Sequence, residues 1–347
     1  MRRALVVSGG GCKGAFAVGV LKQLAVDFPN LQFDVFVGTS TGSLLVPLAA
    51  MREYDMLEEL YTKQKTENVI LKYNIGDRLG EHSIFDATPL WNLISQYYTD
   101  ARYDELTNSG KKIYLNTTCL QTRQLVVFTN DADAIDGKYY IVRQLINADH
   151  FRRAVMASAC QPVFMPPIKI NVNVPGEAHP NYQFVDGGVR EYVGVQMAID
   201  AGAKEIFVII LSPDADPPVE IEFKNLFQLL ERTIDVFSED VGKNDTLIPE
   251  QYNEALIYIA AVKAKMMAAG VPENTINAYF STPGIENPFA GKIPLRIYYI
   301  KPNEPLGGGP GGLTFDPVEM KNMLATGKHI FSDFIAALTP EDTSGWV

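Results

Sequence analysis

The sequence is short of several things, and each shortage excludes a class of protein. Only three of its 347 residues are cysteine (Cys12, Cys119, Cys160), an odd number with no CxxC pair. Neither a disulfide framework nor a thiolate zinc site is expected from that. Its four histidines (His82, His150, His179, His329) show no HxxxH or HExxH spacing, so no metal site is expected, and no cofactor. Basic residues are outnumbered, 30 Lys and Arg against 41 Asp and Glu, for a net charge of −11. That balance argues against a nucleic-acid partner, and it leaves any transient contact with a membrane surface to a local apolar rim or a small basic patch. No run approaches the ~18 apolar residues of a membrane span. Met1-Arg2-Arg3 looks like the start of a secretory leader, but the apolar run behind it, Ala4 to Val7, ends at Gly9-Gly10-Gly11. A leader needs ~7–15 such residues. The expected setting is reducing and cytoplasmic.

What is present suits a large globular core: 47% of the residues are hydrophobic, with no low-complexity block or repeat. No shift in composition marks a boundary, so one domain over 1–347 is expected, with core motifs in 1–215 and helical and C-terminal elements in 216–347. Ala4–Val7 reads as a strand buried on both faces. After the glycines, Ala17, Val20, Leu21, Leu24 and Phe28 form one helical stripe. Phe33–Val37 reads as a second strand, and Gly38-Thr39-Ser40-Thr41-Gly42 turns from it into a helix that contains Pro47. A mainly helical stretch over 55–98 follows, then a hairpin (113–120 with 124–128), a helix over 148–158 and a strand over 182–185 that runs into Asp186-Gly187-Gly188. A helix (195–201), a strand (206–211), two helices (226–239 and 249–269), a strand (295–300) and a helix (317–338) close the chain. Such alternation predicts an α/β fold with a mostly parallel sheet and helices on both faces.

Chemistry concentrates at the two glycine turns. Parallel strands joined by helical crossovers bring their carboxyl ends to one edge, so Ser8-Gly9-Gly10-Gly11 and Gly38-Thr39-Ser40 are expected on one crevice. In Gly-x-Ser-x-Gly the serine occupies a tight strand-to-helix turn that exposes its Oγ near free helix N–H groups. A glycine run after a strand can aim successive N–H groups at one point and form an oxyanion hole. Each motif also has a plainer reading. Gly-x-Ser-x-Gly arises by chance in chains rich in small residues, and a glycine run is often a tight turn or a nucleotide site. Gly9-Gly10-Gly11-Cys12-Lys13-Gly14 satisfies the dinucleotide fingerprint, with Asp34 about 20 residues further on. Asp34, however, stands at the start of the second strand, and the carboxyl end where the fingerprint wants its acid holds the serine turn.

Four blocks together carry a resemblance: Ser8-Gly9-Gly10-Gly11-Cys12-Lys13-Gly14, Gly38-Thr39-Ser40-Thr41-Gly42, Ala157-Ser158-Ala159-Cys160-Gln161-Pro162, and Asp186-Gly187-Gly188. In order and spacing they resemble the signature blocks of patatin-like phospholipases, and the similarity fades over about 217–294. The resemblance implies a three-layer α/β/α fold and a lipid or other acyl-ester substrate, hydrolysed through an acyl-enzyme as a phospholipase A, lysophospholipase or esterase would. It implies Ser40 as nucleophile, Asp186 as base, and the backbone of Gly9, Gly10 and Gly11 as oxyanion donors. Gly14, Gly38, Gly42, Gly187 and Gly188 support those motifs. Lys13 is read as anchoring the glycine loop on nearby carbonyls, ahead of a contact with a polar head group. Cys12 is read as packing. Tyr192 departs from the pattern, standing four residues after Gly188 where Asn or another polar side chain is expected. Gly307-Gly308-Gly309-Pro310-Gly311-Gly312, with no strand-to-helix context, reads as a mobile loop at the site mouth.

A serine hydroxyl needs a base within hydrogen-bond reach, usually histidine. Of the four histidines only His329 follows Asp186, as a Ser–Asp–His order requires, and it reads as a helix-end residue. The direct Ser–Asp dyad without histidine that the resemblance implies is the expectation. A nucleotide-binding module on the glycine loop, and an idle storage or interaction protein on the same fold, remain as alternatives.

Overall fold

The structure, a computed structural model, describes residues 1–78, 80–214, 218 and 220–346. The division expected at 215/216 lies outside the described residues. The elements are β1 (Arg3–Val7), α1 (Gly14–Asp27), β2 (Val35–Thr39), α2 (Thr41–Ala50), α3 (Tyr54–Lys63), α4 (Thr66–Val69), β3 (Leu71–Lys72), β4 (Phe85–Asp86), α5 (Thr88–Tyr97) and α6 (Asp100–Asn108). They continue with β5 (Lys112–Cys119), β6 (Leu125–Thr129), β7 (Tyr140–Gln144), α7 (Ala148–Ala159), β8 (Phe184–Asp186), α8 (Val195–Asp200) and β9 (Glu205–Ile209). Last come α9 (Leu226–Ala268), α10 (Glu273–Tyr279), β10 (Arg296–Ile300), α11 (Pro317–Ala337) and α12 (Pro340–Thr343).

The central sheet runs β10-β9-β1-β2-β5-β6-β7, with β8 joined to β5. Its first five strands are mutually parallel. β1 shows why the sheet is covered on both sides: Leu5 and Val7 enter one apolar cluster, with α1, α2 and α11, while Ala4 and Val6 enter a second, with α8. Alternation at period two sends successive side chains to opposite faces, so an unbroken apolar strand needs a layer on each. The fold is three-layered and α/β, as the motifs implied. Among the described residues no helix is long and apolar enough to cross a membrane.

Two registers on β5 build the site. Thr39, the last residue of β2, pairs with Asn116. Asp186, the last residue of β8, pairs antiparallel with Thr117, one position along the same strand. β2 runs with β5 and β8 runs against it, so their carboxyl ends meet head-on along one side of β5.

The structure differs from the sequence expectation in several elements, among them β3, β4, α6, α10 and α12, which the pattern did not single out. β7 was not expected; it is a sheet edge with only two buried side chains, too weak a pattern to read. β8 extends the sheet in the antiparallel sense, whereas strand–helix alternation suggested a parallel one. The two helices expected over 226–239 and 249–269 are one helix, α9, which passes through Gly242 and Pro249. Both residues argue locally for a break. Tertiary anchoring overrides them: the Asp245 carboxylate accepts the Tyr192 and Val193 N–H groups at 2.5 and 3.1 Å.

Candidate active site

Ser40 sits between β2 and α2 with φ 55° and ψ −124°, a backbone state that β-carbon sterics disfavour and that its surroundings must enforce. They do so in two ways. A Cβ at Gly38 would lie 2.5 Å from the Gly42 backbone, and one at Gly42 would lie 2.1 Å from the Val7 carbonyl oxygen, so the tight turn requires glycine on both sides of the serine. In addition, the Ser40 N–H donates to Ser158 Oγ at 3.1 Å. The Ser158 hydroxyl in turn donates to the Asn116 carbonyl at 2.6 Å and pairs with the Ser43 hydroxyl. This buried hydroxyl fastens the serine turn to β5. Asn116 also donates its side-chain N–H to Thr39 Oγ1 at 2.9 Å.

Asp186 is 6% exposed. Its Oδ1 accepts the Gly188 N–H at 2.8 Å, and its own N–H donates to the Cys160 carbonyl at 2.9 Å. Burial pushes the carboxyl up to about 7, against smaller opposing pulls from hydrogen bonds with the Ser40 hydroxyl and the Gly188 N–H. A carboxylate in that range takes a proton far more readily than a solvated one.

The expected oxyanion donors divide. Gly9 donates its N–H to the Tyr192 carbonyl at 3.1 Å, so that group is occupied. This corrects the expectation of three glycine donors: no hydrogen bond occupies the N–H groups of Gly10 or Gly11 among the described residues, and both border the cavity beside Ser40 and Asp186. The bond to the Tyr192 carbonyl is invisible in a motif, because it joins two backbone groups far apart in the sequence.

Tyr192 is a wedge. Its ring packs where a β-carbon on Gly9, Gly188 or Gly242 would stand, at 2.8, 2.9 and 3.1 Å. It therefore touches the glycine loop, the Asp186 turn and α9 at once. Gly14 likewise makes room for Tyr61, whose hydroxyl bonds Thr41 Oγ1 at 2.5 Å, and Gly187 lets the Asn116 backbone pass. The Lys13 side chain does not bond loop carbonyls: its ammonium has no hydrogen bond or ion pair among the described residues, only the backbone N–H bonds the loop, to the Gly10 carbonyl at 3.1 Å, and the residue borders the cavity. Cys12 is packing, fully buried, its thiol pushed up to about 12 by burial.

The cavity measures about 310 Å³. Leu44, Leu60, Leu90, Leu93 and Ile94, from α2, α3 and α5, give it apolar walls. Lys13, Arg232, Asp235, Asp214 and Lys301 add polar ones. None of the four histidines borders it. His329 is exposed on α11 beside Asp333, at 3.4 Å. His150 is buried elsewhere against Asn171, at 3.0 Å. His179 stacks on Tyr182. Asp34, the acid that a dinucleotide would need, accepts the Arg3 N–H at 2.9 Å, at the amino end of β1 and away from the glycine loop.

A family model described as "Patatin-like phospholipase" matches residues 5–199, more than half of the chain. Over 65 residues the sequence is 38% identical to a cUMP-AMP-activated phospholipase of Escherichia coli, a match covering 18% of this chain and 20% of that protein. The matched region thus spans about a fifth of that relative's length. Among solved structures, VipD from Legionella pneumophila aligns over 97% of this chain and 67% of its own, with 12% identity and a TM-score of 0.39. A likeness of that degree carries no inference.

Proposed function

The chain belongs to the patatin-like phospholipases, and on that premise we propose that it is a lipid acyl hydrolase with Ser40 as nucleophile and Asp186 as its only base. The observation that carries this reading is that β2 and β8 bring Ser40 and the buried Asp186 to adjacent positions along β5 on one cavity, where burial raises the Asp186 carboxyl to about 7. Asp186 takes the hydroxyl proton as Oγ attacks the ester carbonyl carbon. The oxyanion so formed is held by the Gly10 and Gly11 N–H groups. As the intermediate collapses, Asp186 returns the proton to the departing alcohol, leaving the acyl group on Ser40. Water then repeats the cycle with Asp186 again as base, and the fatty acid leaves.

The apolar walls suit an acyl chain, and the polar walls suit the head of an amphiphile. Transient membrane contact falls to the outer face of α9, whose inner face borders the cavity. The whole chain, 1–347, acts as one domain in this reading, because α11 packs on α1 and β10 extends the sheet. A fluorophosphonate should label the wild type at Ser40 alone and miss Ser40→Ala, which should also lose hydrolysis of a soluble ester while keeping its thermal midpoint. Equal labelling of the two proteins would remove Ser40 from the mechanism. Neither labelling nor hydrolysis in the wild type would leave an idle protein on this fold.

A further inference from the structure

The second glycine-rich segment, 307–312, lies outside the residues matched by the family model, yet it is built against the first. A Cβ at Gly11 would stand 2.3 Å from the Gly312 carbonyl oxygen, and one at Gly312 would stand 2.2 Å from the Gly10 carbonyl oxygen. The two backbones pass at a separation that only glycine allows, and both residues have positive φ, 58° and 70°. The segment is folded on itself: the Gly312 N–H donates to the Gly309 carbonyl at 3.1 Å, and the Thr314 N–H to the Gly308 carbonyl at 2.9 Å. From outside, the Gly311 N–H donates to Asp235 Oδ1 on α9, at 3.2 Å.

We propose that this segment is a clip that orients the oxyanion donors, held in place by Asp235. The inference rests on the assignment of Gly10 and Gly11 as those donors. Its physics is that of one peptide plane. The Gly10 carbonyl and the Gly11 N–H belong to the same trans unit and point in opposite directions. Lys13 donates its N–H to that carbonyl at 3.1 Å, and Gly312 abuts the same oxygen. With the oxygen pinned on two sides, the plane cannot rotate, and the Gly11 N–H keeps one direction. Without the clip, the Gly10 carbonyl keeps the Lys13 bond but loses the backbone packed against its other side. A donor misaligned by about 1 Å forfeits much of its transition-state contact while leaving ground-state binding intact.

The test is steady-state kinetics on a soluble ester, with fluorophosphonate labelling of Ser40 alongside. Gly312→Ala should lower kcat about 10- to 100-fold and change KM little, since the loss falls on the transition state. Gly307→Ala is the control: its φ is also positive, 81°, but the nearest atom to its Cβ would be a Glu319 side-chain oxygen at 3.8 Å. It carries the same backbone strain without touching the glycine loop and should keep kcat within about twofold of wild type. If Gly312→Ala does not fold, Asp235→Ala should lower kcat and Asp235→Asn, which retains an acceptor oxygen, should restore it. Unchanged kcat in folded Gly312→Ala or Asp235→Ala, or an equal fall in Gly307→Ala, overturns the clip while wild-type labelling keeps the dyad. A wild type that is neither labelled nor active overturns both.

Discussion

Because burial pushes the Asp186 carboxyl up to about 7, the base of the proposed dyad is present above that pH and lost below it. The acid limb of kcat/KM on a soluble ester should therefore fall with a midpoint near 7, measured as a pH–rate profile. Asp186→Asn should cost about 10²–10⁴-fold in turnover, the range of a general base. Gln in place of His82, His150, His179 or His329 should keep most activity. Loss in a folded His329→Gln protein would mean that a triad had been mistaken for a dyad. Ser40, Asp186 and the glycines stand out in the sequence because backbone constraint restricts them to a few residue types, and such restrictions are written locally. Ser158 and Asn116, which fasten the serine turn to β5, and Asp245, which holds the Tyr192–Val193 backbone, are ordinary polar residues whose roles exist only once distant segments meet. Lys13 is legible as basic, but its direction is not.

At the scale of elements, strands and helices with strong periodicity were legible, and those shaped by their neighbours were not. The β5–β6 hairpin falls within a residue or so of its expected place. α9 does not, because its continuity through Pro249 depends on Tyr192, Val193 and Asp245. That helix has two faces. Arg232, Asp235 and Thr246 border the cavity, while Leu226, Leu229, Phe237 and Ile248 are exposed, Phe237 by 65%. If the cavity takes lipid as proposed, an apolar outer face on the helix that walls it is placed to enter a membrane surface. Phe237→Glu should lower hydrolysis of phospholipid vesicles about tenfold, the worth of burying one aromatic side chain. Soluble-ester turnover by the same protein should be unchanged. Equal activity of both proteins on vesicles would assign the face to another role.

At the scale of the whole molecule, three buried carboxyls among the described residues hold protons more tightly folded than unfolded. Burial raises Asp186, Glu191 and Asp245, and the neighbouring Asp245 raises Glu191 further. A carboxyl raised by folding stabilises the fold least when it must ionise, so stability declines as pH rises from the unfolded value through the folded one. His150, lowered by burial, works in the other direction up to its ordinary value of 6.5. Above that the carboxyls act unopposed, and the thermal midpoint should fall between about pH 6.5 and 8, with a limiting slope of about 1.4 kcal/mol per pH unit for each proton of difference. Calorimetry of Asp186→Asn and Glu191→Gln should show a flatter dependence than wild type. A midpoint that rises over this window would contradict the burial argument.

The head-on meeting of β2 and β8 along β5 has a consequence for how such a chain tolerates change in length. Asp186, the proposed base, is held by a ladder of only three pairs, Thr117 to Cys119 against Asp186 to Phe184. Sliding β8 by one residue would send Asp186 to the opposite face of the sheet and bring a valine or glycine to Ser40. A single deletion within β8 or the facing half of β5 is therefore equivalent to losing the base. A change of length confined to the largely exposed loop over 175–181, which connects back to that ladder from outside, should therefore leave the strands in register where a deletion in them would not.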